Sequence, residues 1–426
     1  MSKFRVIIVR NSETLPCDGK GGRLWRSGLL VQWLINRGVN VEWVFSSFDH
    51  NNKKNRQTIN LDSEPLMEKA ATMLHSTGYK KNISIARFFD HFVFGWKLFF
   101  YLRKIPKPDL VICSHPTPES SLAVTLYGKL AGVPTLLDIR DLWPDVFFEA
   151  TSGGKYFLYK LLMSPYKGLS TLSIRLATNL MAANESFLNW GLKNAGRTKK
   201  DNDFVSFIPF EIPKLEERHT QEALALIRQS ELKEGELLVT FAGTIGRMFD
   251  FHTVKRSCDL AEQSGIPLRL ILCGSGEELE AVKWLFKDNP RVIIPGRLDA
   301  KVVFSLLQKS DLLLAPYIKT DNFKEHLPNK FMEYSAAGRP LISSLEGFAS
   351  QVLKHNESGL TYLDDRGLCE CFRYYYENKG KLEEHSTNAH KQYTEHFHPE
   401  QLLEKVEQHA RAIVRDYKKQ VKTADA

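Results

Sequence analysis

Two carboxylates flank a lysine in Glu325-His-Leu-Pro-Asn-Lys330-Phe-Met-Glu333-Tyr-Ser-Ala-Ala-Gly338-Arg-Pro340. Pro328 suits the first turn of a helix, and Asn329 to Ala337 has a helical pattern. Gly338 and Pro340 stop that helix before a strand at Leu341–Ile342. The start of such a helix, near Asn329 and Lys330, presents unpaired N–H groups and a partial positive charge. That is a natural diphosphate site, and Lys330 adds a full charge. Glu333 lies deeper in the same helix, where a carboxylate can accept two hydrogen bonds from ribose hydroxyls. Glu325 precedes the helix and can face a sugar. The competing reading of the two glutamates is a solvated acidic pair on a surface helix.

Three further loops suit the same ligand. Phe241-Ala-Gly243-Thr-Ile-Gly246-Arg247 offers close backbone approach to phosphate at its glycines and a bidentate contact from Arg247. Cys273-Gly274-Ser-Gly276 is a second glycine loop, which by itself would be a tight turn. Pro295-Gly296-Arg297-Leu298 is placed to meet a base through backbone groups, or is an ordinary βα turn. In the first half, Asp18-Gly19-Lys20-Gly21-Gly22-Arg23 lacks the spacing of a dinucleotide fingerprint. Gly21 and Gly22 at a helix start can approach a transferred sugar or its phosphate. Asp138-Ile-Arg140-Asp141-Leu-Trp143-Pro144 ends a strand with charges that are costly there without a task. Either Asp138 or Asp141 can orient or deprotonate an acceptor hydroxyl, or the group is a structural Asp–Arg lock. His115 also ends a strand and is structural or acceptor-lining. Asp201-Asn-Asp203 spells a possible metal motif but sits in a polar loop and reads as a turn.

Glu-x7-Glu with Leu-Pro-Asn-Lys-Phe-Met-Glu-Tyr-x-Ala-Ala-Gly-x-Pro resembles the signature of glycosyltransferase family 4, retaining enzymes of GT-B fold. The Asp-x-Arg-Asp-Leu-Trp-Pro block resembles its subgroup of bacterial O-antigen and capsule transferases, including N-acetylfucosaminyl-type enzymes. The resemblance implies that Glu325 contacts the donor sugar and Glu333 the ribose. It also implies that the Gly243–Arg247 loop binds diphosphate and that Gly274 and Gly276 lie near the nucleotide. Gly21 and Gly22 would lie in the interdomain cleft near the reacting groups. Retention of anomeric configuration and a UDP donor come from the resemblance alone. The sequence departs from the family's commoner Gly-Arg…Lys-Gly form: Thr244 stands in place of the arginine and no Lys-Gly follows. Arg247 is therefore the candidate phosphate residue. With Lys330, Arg247 and a helix terminus available, leaving-group stabilisation is expected without a metal or other cofactor.

These residues need a scaffold of strands and helices. Apolar or β-branched runs at Phe4–Val9, Val41–Phe45, Leu110–Cys113, Thr135–Leu137, Leu180–Ala183 and Val205–Ile208 alternate with helical segments such as Leu24–Asn36 and Ser120–Leu130. A second series follows at Leu237–Ala242, Leu268–Cys273, Val292–Ile294, Leu312–Ala315 and Leu341–Ile342. The alternation predicts α/β architecture: two doubly wound Rossmann-like domains across a cleft, closed by a C-terminal helix. Expected boundaries are 1–213 for an acceptor-side domain, 214–235 for a linker with a short helix, 236–395 for a nucleotide-sugar domain, and 396–426 for a helix and tail that return to the first domain.

The length of 426 residues suits two domains, and the six cysteines are scattered without metal spacing. The net charge of +8 points to anionic partners. Tyr79–Lys107 mixes cations with aromatics, as does Gly154–Lys167. Such segments suit an anionic membrane surface better than duplex nucleic acid, which is not expected as a partner. The start lacks signal-peptide layout and no run is long enough to span a bilayer. A cytoplasmic protein, peripheral on the inner face of the membrane, is expected. Its partners would be a nucleotide-sugar donor and a lipid-linked or saccharide acceptor. The alternatives are a nucleotide-sugar 2-epimerase of the same architecture and a non-catalytic binder of membrane or nucleic acid.

Overall fold

The computed structural model describes residues 4–18, 23–61, 65–82, 84–146 and 154–424. The chain divides into two units, Met1–Pro209 with Pro399–Ala426, and Phe210–His398.

In the first unit the strands are β1 (Arg5–Arg10), β2 (Asn40–Ser46), β3 (Phe48–Asp49), β4 (Lys54–Asn55), β5 (Ala71–Leu74), β6 (Leu110–His115), β7 (Thr135–Ile139), β8 (Asn179–Ala182) and β9 (Phe204–Val205). Seven form one sheet in the order β5-β2-β1-β6-β7-β8-β9, and β3 pairs with β4 in a separate antiparallel hairpin. The large sheet is parallel, with Val6 opposite Val41 on one side and Leu110 on the other. Parallel strands are covered on both faces, so their residues are apolar almost without interruption. Successive side chains go to opposite faces. Val6, Ile8, Trp43 and Ile112 join one core, while Ile7, Val9, Val44 and Cys113 join the other.

The first core is closed by the helix Arg26–Asn36 and by the C-terminal helix Pro399–Ala424, through Leu403, Val406, Ala410, Ile413 and Val414. His409 of that helix stacks on Phe204 with ring centroids 3.9 Å apart. Helices Ile85–Lys104 and Pro118–Ala131 cover the other face. They cross where Gly95 meets the Glu119 backbone, and a Cβ at Gly95 would lie 2.9 Å from the Glu119 carbonyl oxygen.

In the second unit, β10 (Leu237–Ala242), β11 (Leu268–Cys273), β12 (Val292–Gly296), β13 (Leu312–Ala315), β14 (Leu341–Ser343) and β15 (Gly359–Thr361) form a parallel sheet in the order β12-β11-β10-β13-β14-β15. Each large sheet grows outward on one side of its first strand and then reverses on the other. Ligands of such sheets bind at the carboxyl ends where the order reverses. The reversal lies between β1 and β6 in the first unit and between β10 and β13 in the second.

The units meet in sequence at 209/210. The stretch expected as a linker is part of the second unit. Its helix Glu217–Gln229 begins with a reciprocal Glu216–His219 cap, buries His219 and Ala223, and packs on the helix Ala300–Lys309. Strands β5 and β15 have no counterpart in the sequence pattern. Both are short and lie at sheet edges, and none of the four residues of β5 is fully buried, so neither leaves an apolar run.

Candidate active site

Loops after β10, β11 and β12 lie side by side at the carboxyl end of the second sheet. Gly243 N–H donates to the Cys273 carbonyl (2.9 Å), Ile245 N–H to Ser275 (3.0 Å) and Gly274 N–H to Gly296 (2.8 Å). Gly243, Gly274 and Gly296 have φ of 145°, 155° and 80°, a region that disfavours side chains. A Cβ on Gly274 would collide with the Gly243 carbonyl, and one on Gly276 with the Ile245 carbonyl. The Gly274-x-Gly276 motif is therefore the means by which two loops close on each other, not an isolated turn.

The helix Asn329–Ala336 follows Pro328, which occupies the cap position with φ −64° and ψ 150°. Its first N–H groups have no partner further back in the helix. Gly338, with φ 67°, ends it, and β14 follows. Lys330 is buried, and its Nζ donates to the Ala242 carbonyl. The ammonium lies 4.4 Å from the Phe241 ring centroid and 5.4 Å from that of Phe249. It fills the space that a side chain at Gly243 would take, and Gly243 itself is exposed. Burial lowers the Lys330 pKa to about 8, with Glu333 acting in the opposite sense. A full charge is thus fixed beneath a bare backbone loop, at a helix start and at the point where strand order reverses.

Tyr334, one turn after Lys330, escaped the sequence reading. Its hydroxyl accepts from Ala242 N–H (3.0 Å) and lies 3.3 Å and 3.4 Å from the Ala242 and Leu314 carbonyls. It ties the helix to both central strands. A tyrosine in an otherwise apolar helical stripe was the available signal, because a buried phenol needs a partner.

The remaining donor-side residues occupy several settings. Glu325 and Asn329 are exposed, and Glu333 is half-buried. Beside the approach to the helix is a cavity of about 240 Å³, lined in part by Lys319, Phe323, Lys324, Ser344 and Glu346. Arg247 is highly exposed and turns to Glu278 (3.3 Å) and Glu277 (3.5 Å). These acids follow the Gly274–Gly276 loop and offer the guanidinium carboxylates in place of a phosphate. Arg297 is exposed and Leu298 half-buried on the loop after β12. Gly21 and Gly22 lie outside the described residues.

In the first unit, Asp138 ends β7 within a cluster of arginines. It is 1% exposed, with Arg140 Nε at 2.7 Å and Arg26 Nη1 at 3.3 Å. Arg140 also donates to Ser27 Oγ (2.8 Å). Burial lowers the pKa of Arg26 and Arg10 to about 10, and the neighbouring Arg140 charge pushes the same way. Cations enclose Asp138 and solvent does not reach it, which is the setting of a structural Asp–Arg lock. Asp141 is half-buried, and its Oδ1 accepts from Leu142 N–H (2.8 Å).

His115, expected to be structural or acceptor-lining, sits in the core. It is fully buried, with Nδ1 3.0 Å from Ser121 Oγ and Nε2 3.3 Å from Ser170 Oγ, and burial lowers its pKa to about 4. Asp203 of the Asp-x-Asp sequence pairs with Arg197 and accepts from Leu180 N–H (2.8 Å), which makes it a loop anchor. Among the described residues, no group of three or more His, Cys, Asp or Glu side chains is placed to hold a metal ion. No helix among them is long and apolar enough to cross a membrane.

Comparison with curated protein sequences gives no match. Among solved structures, the Anabaena protein HepE in complex with UDP is similar at 12% identity and TM-score 0.66, over 96% of this chain and 100% of that one. Sucrose-phosphate synthase from Thermosynechococcus elongatus is similar at 14% identity and TM-score 0.65, over 97% and 100%. WaaG, a glycosyltransferase involved in lipopolysaccharide biosynthesis, is similar at 14% identity and TM-score 0.61, over 93% and 98%. These likenesses establish the fold as GT-B. Residues 224–392, which lie within the second unit, match the family model described as glycosyl transferases group 1.

Proposed function

We propose that the protein is a retaining glycosyltransferase of family 4 that moves a sugar from a UDP-sugar to a lipid-linked or saccharide acceptor in bacterial surface polysaccharide synthesis. The observation that carries this reading is the Lys330 ammonium under exposed Gly243, at the start of the helix Asn329–Ala336. As the donor's anomeric bond breaks, charge gathers on the departing diphosphate. A fixed ammonium and a helix terminus stabilise that charge without reorganisation. Glu333 holds the ribose, Glu325 meets the sugar, and no metal is required. Asp141 serves the acceptor hydroxyl. UDP as the nucleotide draws support from the HepE complexes with UDP and UDP-glucose. A surface-polysaccharide role draws support from the likeness to WaaG.

A lipid-linked acceptor suits the helix Ile85–Lys104. Ile85, Phe89, Phe92, Trp96 and Phe100 are all exposed on it, from 39% to 88%, at spacings of four, three, four and four residues. They form an apolar face opposite the buried one, with Lys80, Lys81, Arg103 and Lys104 at its ends. Such a face suits the headgroup region of an anionic bilayer.

The test is a screen of UDP- and GDP-sugars for hydrolysis and transfer, with product analysis. Glu333→Ala is expected to weaken UDP binding about tenfold or more, whereas Glu325→Ala mainly lowers turnover. Unchanged UDP affinity and full activity in both variants would reject the assignment. Conversion of UDP-N-acetylglucosamine to its 2-epimer without an acceptor would replace it with the epimerase reading.

A further inference from the structure

The first unit holds a group of cations that sugar transfer, as described above, leaves unused. The β3–β4 hairpin carries Lys53, and the first turn of the helix Ile85–Lys104 carries Arg87. Lys53 Nζ lies 4.9 Å from the Tyr79 ring centroid and donates to Asn82 Oδ1. The Arg87 guanidinium lies 4.6 Å over Trp143 and 5.6 Å from Tyr79, and its Nη1 donates to the Asn82 carbonyl (2.8 Å). One residue, Asn82, and one aromatic ring, Tyr79, thus hold both cations.

Neither cation has a carboxylate within ion-pair distance among the described residues. The nearby acids, Asp49, whose charge acts on Lys53, and Glu119, which feels Arg87, together with Asp90, bond to other groups, Glu119 accepting from Tyr166. Asp49 accepts from Asn51 and Asn52 of its own hairpin, and Asp90 accepts from Ser76, Thr77 and Gly78. His50 sits between them, hydrogen-bonded to Tyr79 Oη and 3.3 Å from Lys53 Nζ. Burial, then the charges of Lys53 and Arg87, press its pKa down to about 4.

Like charges held together with no carboxylate in contact repel one another, and cation–π contacts offset only part of that cost. Two more polar atoms of the group are buried without a hydrogen-bond partner among the described residues: Arg87 Nε and His91 Nδ1. His91 is 3% exposed, and its ring lies 6.0 Å from both Tyr79 and Trp143. An ammonium and a guanidinium held by the same residue and the same ring are a donor set for a phosphoryl group.

We propose that Lys53 and Arg87 form a binding site for a phosphoryl group carried by the acceptor substrate. The proposal rests on the sugar-transfer reading for the word acceptor, and on the first unit alone for the anion. The stacking of Arg87 on Trp143, two residues after Asp141, sets the bound phosphate beside the loop that carries that carboxylate. An acceptor whose sugar is linked to phosphate or diphosphate would be anchored by the anion, with its hydroxyl left for Asp141.

The test titrates the UDP-saturated protein with inorganic pyrophosphate, so that the donor site is already filled, and follows the His50 and His91 ring signals by NMR. Pyrophosphate is expected to shift both rings. It should also raise the His50 titration midpoint by about one unit, since an anion favours imidazolium. Lys53→Gln changes one hairpin side chain and is expected to weaken the response about tenfold, with UDP affinity unchanged. Arg87→Gln should do the same, with thermal unfolding as a check on its fold. Vesicles of phosphatidic acid, compared with phosphatidylcholine, separate a lipid-borne phosphate from a free one. A Lys53-dependent response to either anion supports the site. No response to both, or one that survives in both variants, overturns it. If UDP fails to bind while the Lys53-dependent response persists, sugar transfer falls and the anion site stands.

Discussion

An ammonium pressed against aromatic rings and a single carbonyl has given up most of its hydration, so the Lys330 proton is held less tightly than in water. A bound diphosphate favours the charged form. UDP affinity should therefore be level below about pH 7 and fall as pH rises through about 8, where Lys330 loses its proton. Isothermal titration from pH 7 to 9 reads this directly, and Lys330→Gln should flatten the curve. The same slope in the variant would remove Lys330 from the phosphate site. A second buried group makes stability itself depend on pH. Burial raises the Glu119 pKa from 4.5 to about 7, against a hydrogen bond from Tyr166 Oη (3.3 Å). The folded state keeps a proton that the unfolded chain releases between those values, so this contribution is intact below pH 4.5 and is lost as pH rises through 7. Glu119→Gln should be more stable than the parent at pH 8, by up to about 3 kcal/mol, and equal to it at pH 4. Urea denaturation at the two pH values gives the comparison, and an equal difference at both would contradict it.

At the scale of elements, the helix Ile85–Lys104 has two apolar faces, and only one of them has a partner among the described residues of its unit. Phe94, Leu98 and Leu102 are fully buried, whereas Phe89, Phe92 and Trp96 are more than half exposed. Replacing these last three with serine should abolish sedimentation with phosphatidylglycerol vesicles while thermal unfolding stays unchanged. Equal sedimentation by the variant, or none by the parent, would sink the lipid assignment. A parent dimer that the variant lacks would assign the face to a second copy of the chain. The sequence showed the mixture of aromatics and cations in this segment but not the face, because which aromatics are covered depends on a helix packed across Gly95. The helix Asn329–Ala336 was more legible, since Pro328 and Gly338 punctuate it locally. The burial of Lys330 was not, because it depends on the backbone of Gly243, on another strand far away in sequence. Asp138 and Asp141 could not be told apart by type or spacing. Arg26 separates them, and it reaches Asp138 from a helix more than a hundred residues earlier.

At the scale of the molecule, the sequence revealed two strand–helix series but not where the chain passes from one unit to the next. Charge and lost strand character suggested a linker at 214–235, whereas the change comes at Pro209 and again at His398. The final helix supplies Leu402, Leu403, Val406, Ala410, Ile413 and Val414 to the first unit, each 8% exposed or less. Burying a full-sized aliphatic side chain is worth roughly 1.5–3 kcal/mol, so losing this set is comparable to the whole stability of an ordinary domain, about 5–15 kcal/mol. A chain ending at His398 should lose the unfolding transition of the first unit in calorimetry while the second unit still melts and still binds UDP. Survival of both transitions would contradict that dependence.

The late arrival of this helix also bears on biosynthesis. On the ribosome, the face of the first sheet that bears Val6, Ile8 and Trp43 emerges early, and its last cover is translated only after residues 210–398. At ordinary elongation rates the nascent chain waits on the order of ten to forty seconds with that surface incomplete. During that interval holdase chaperones have a target that the finished protein no longer offers.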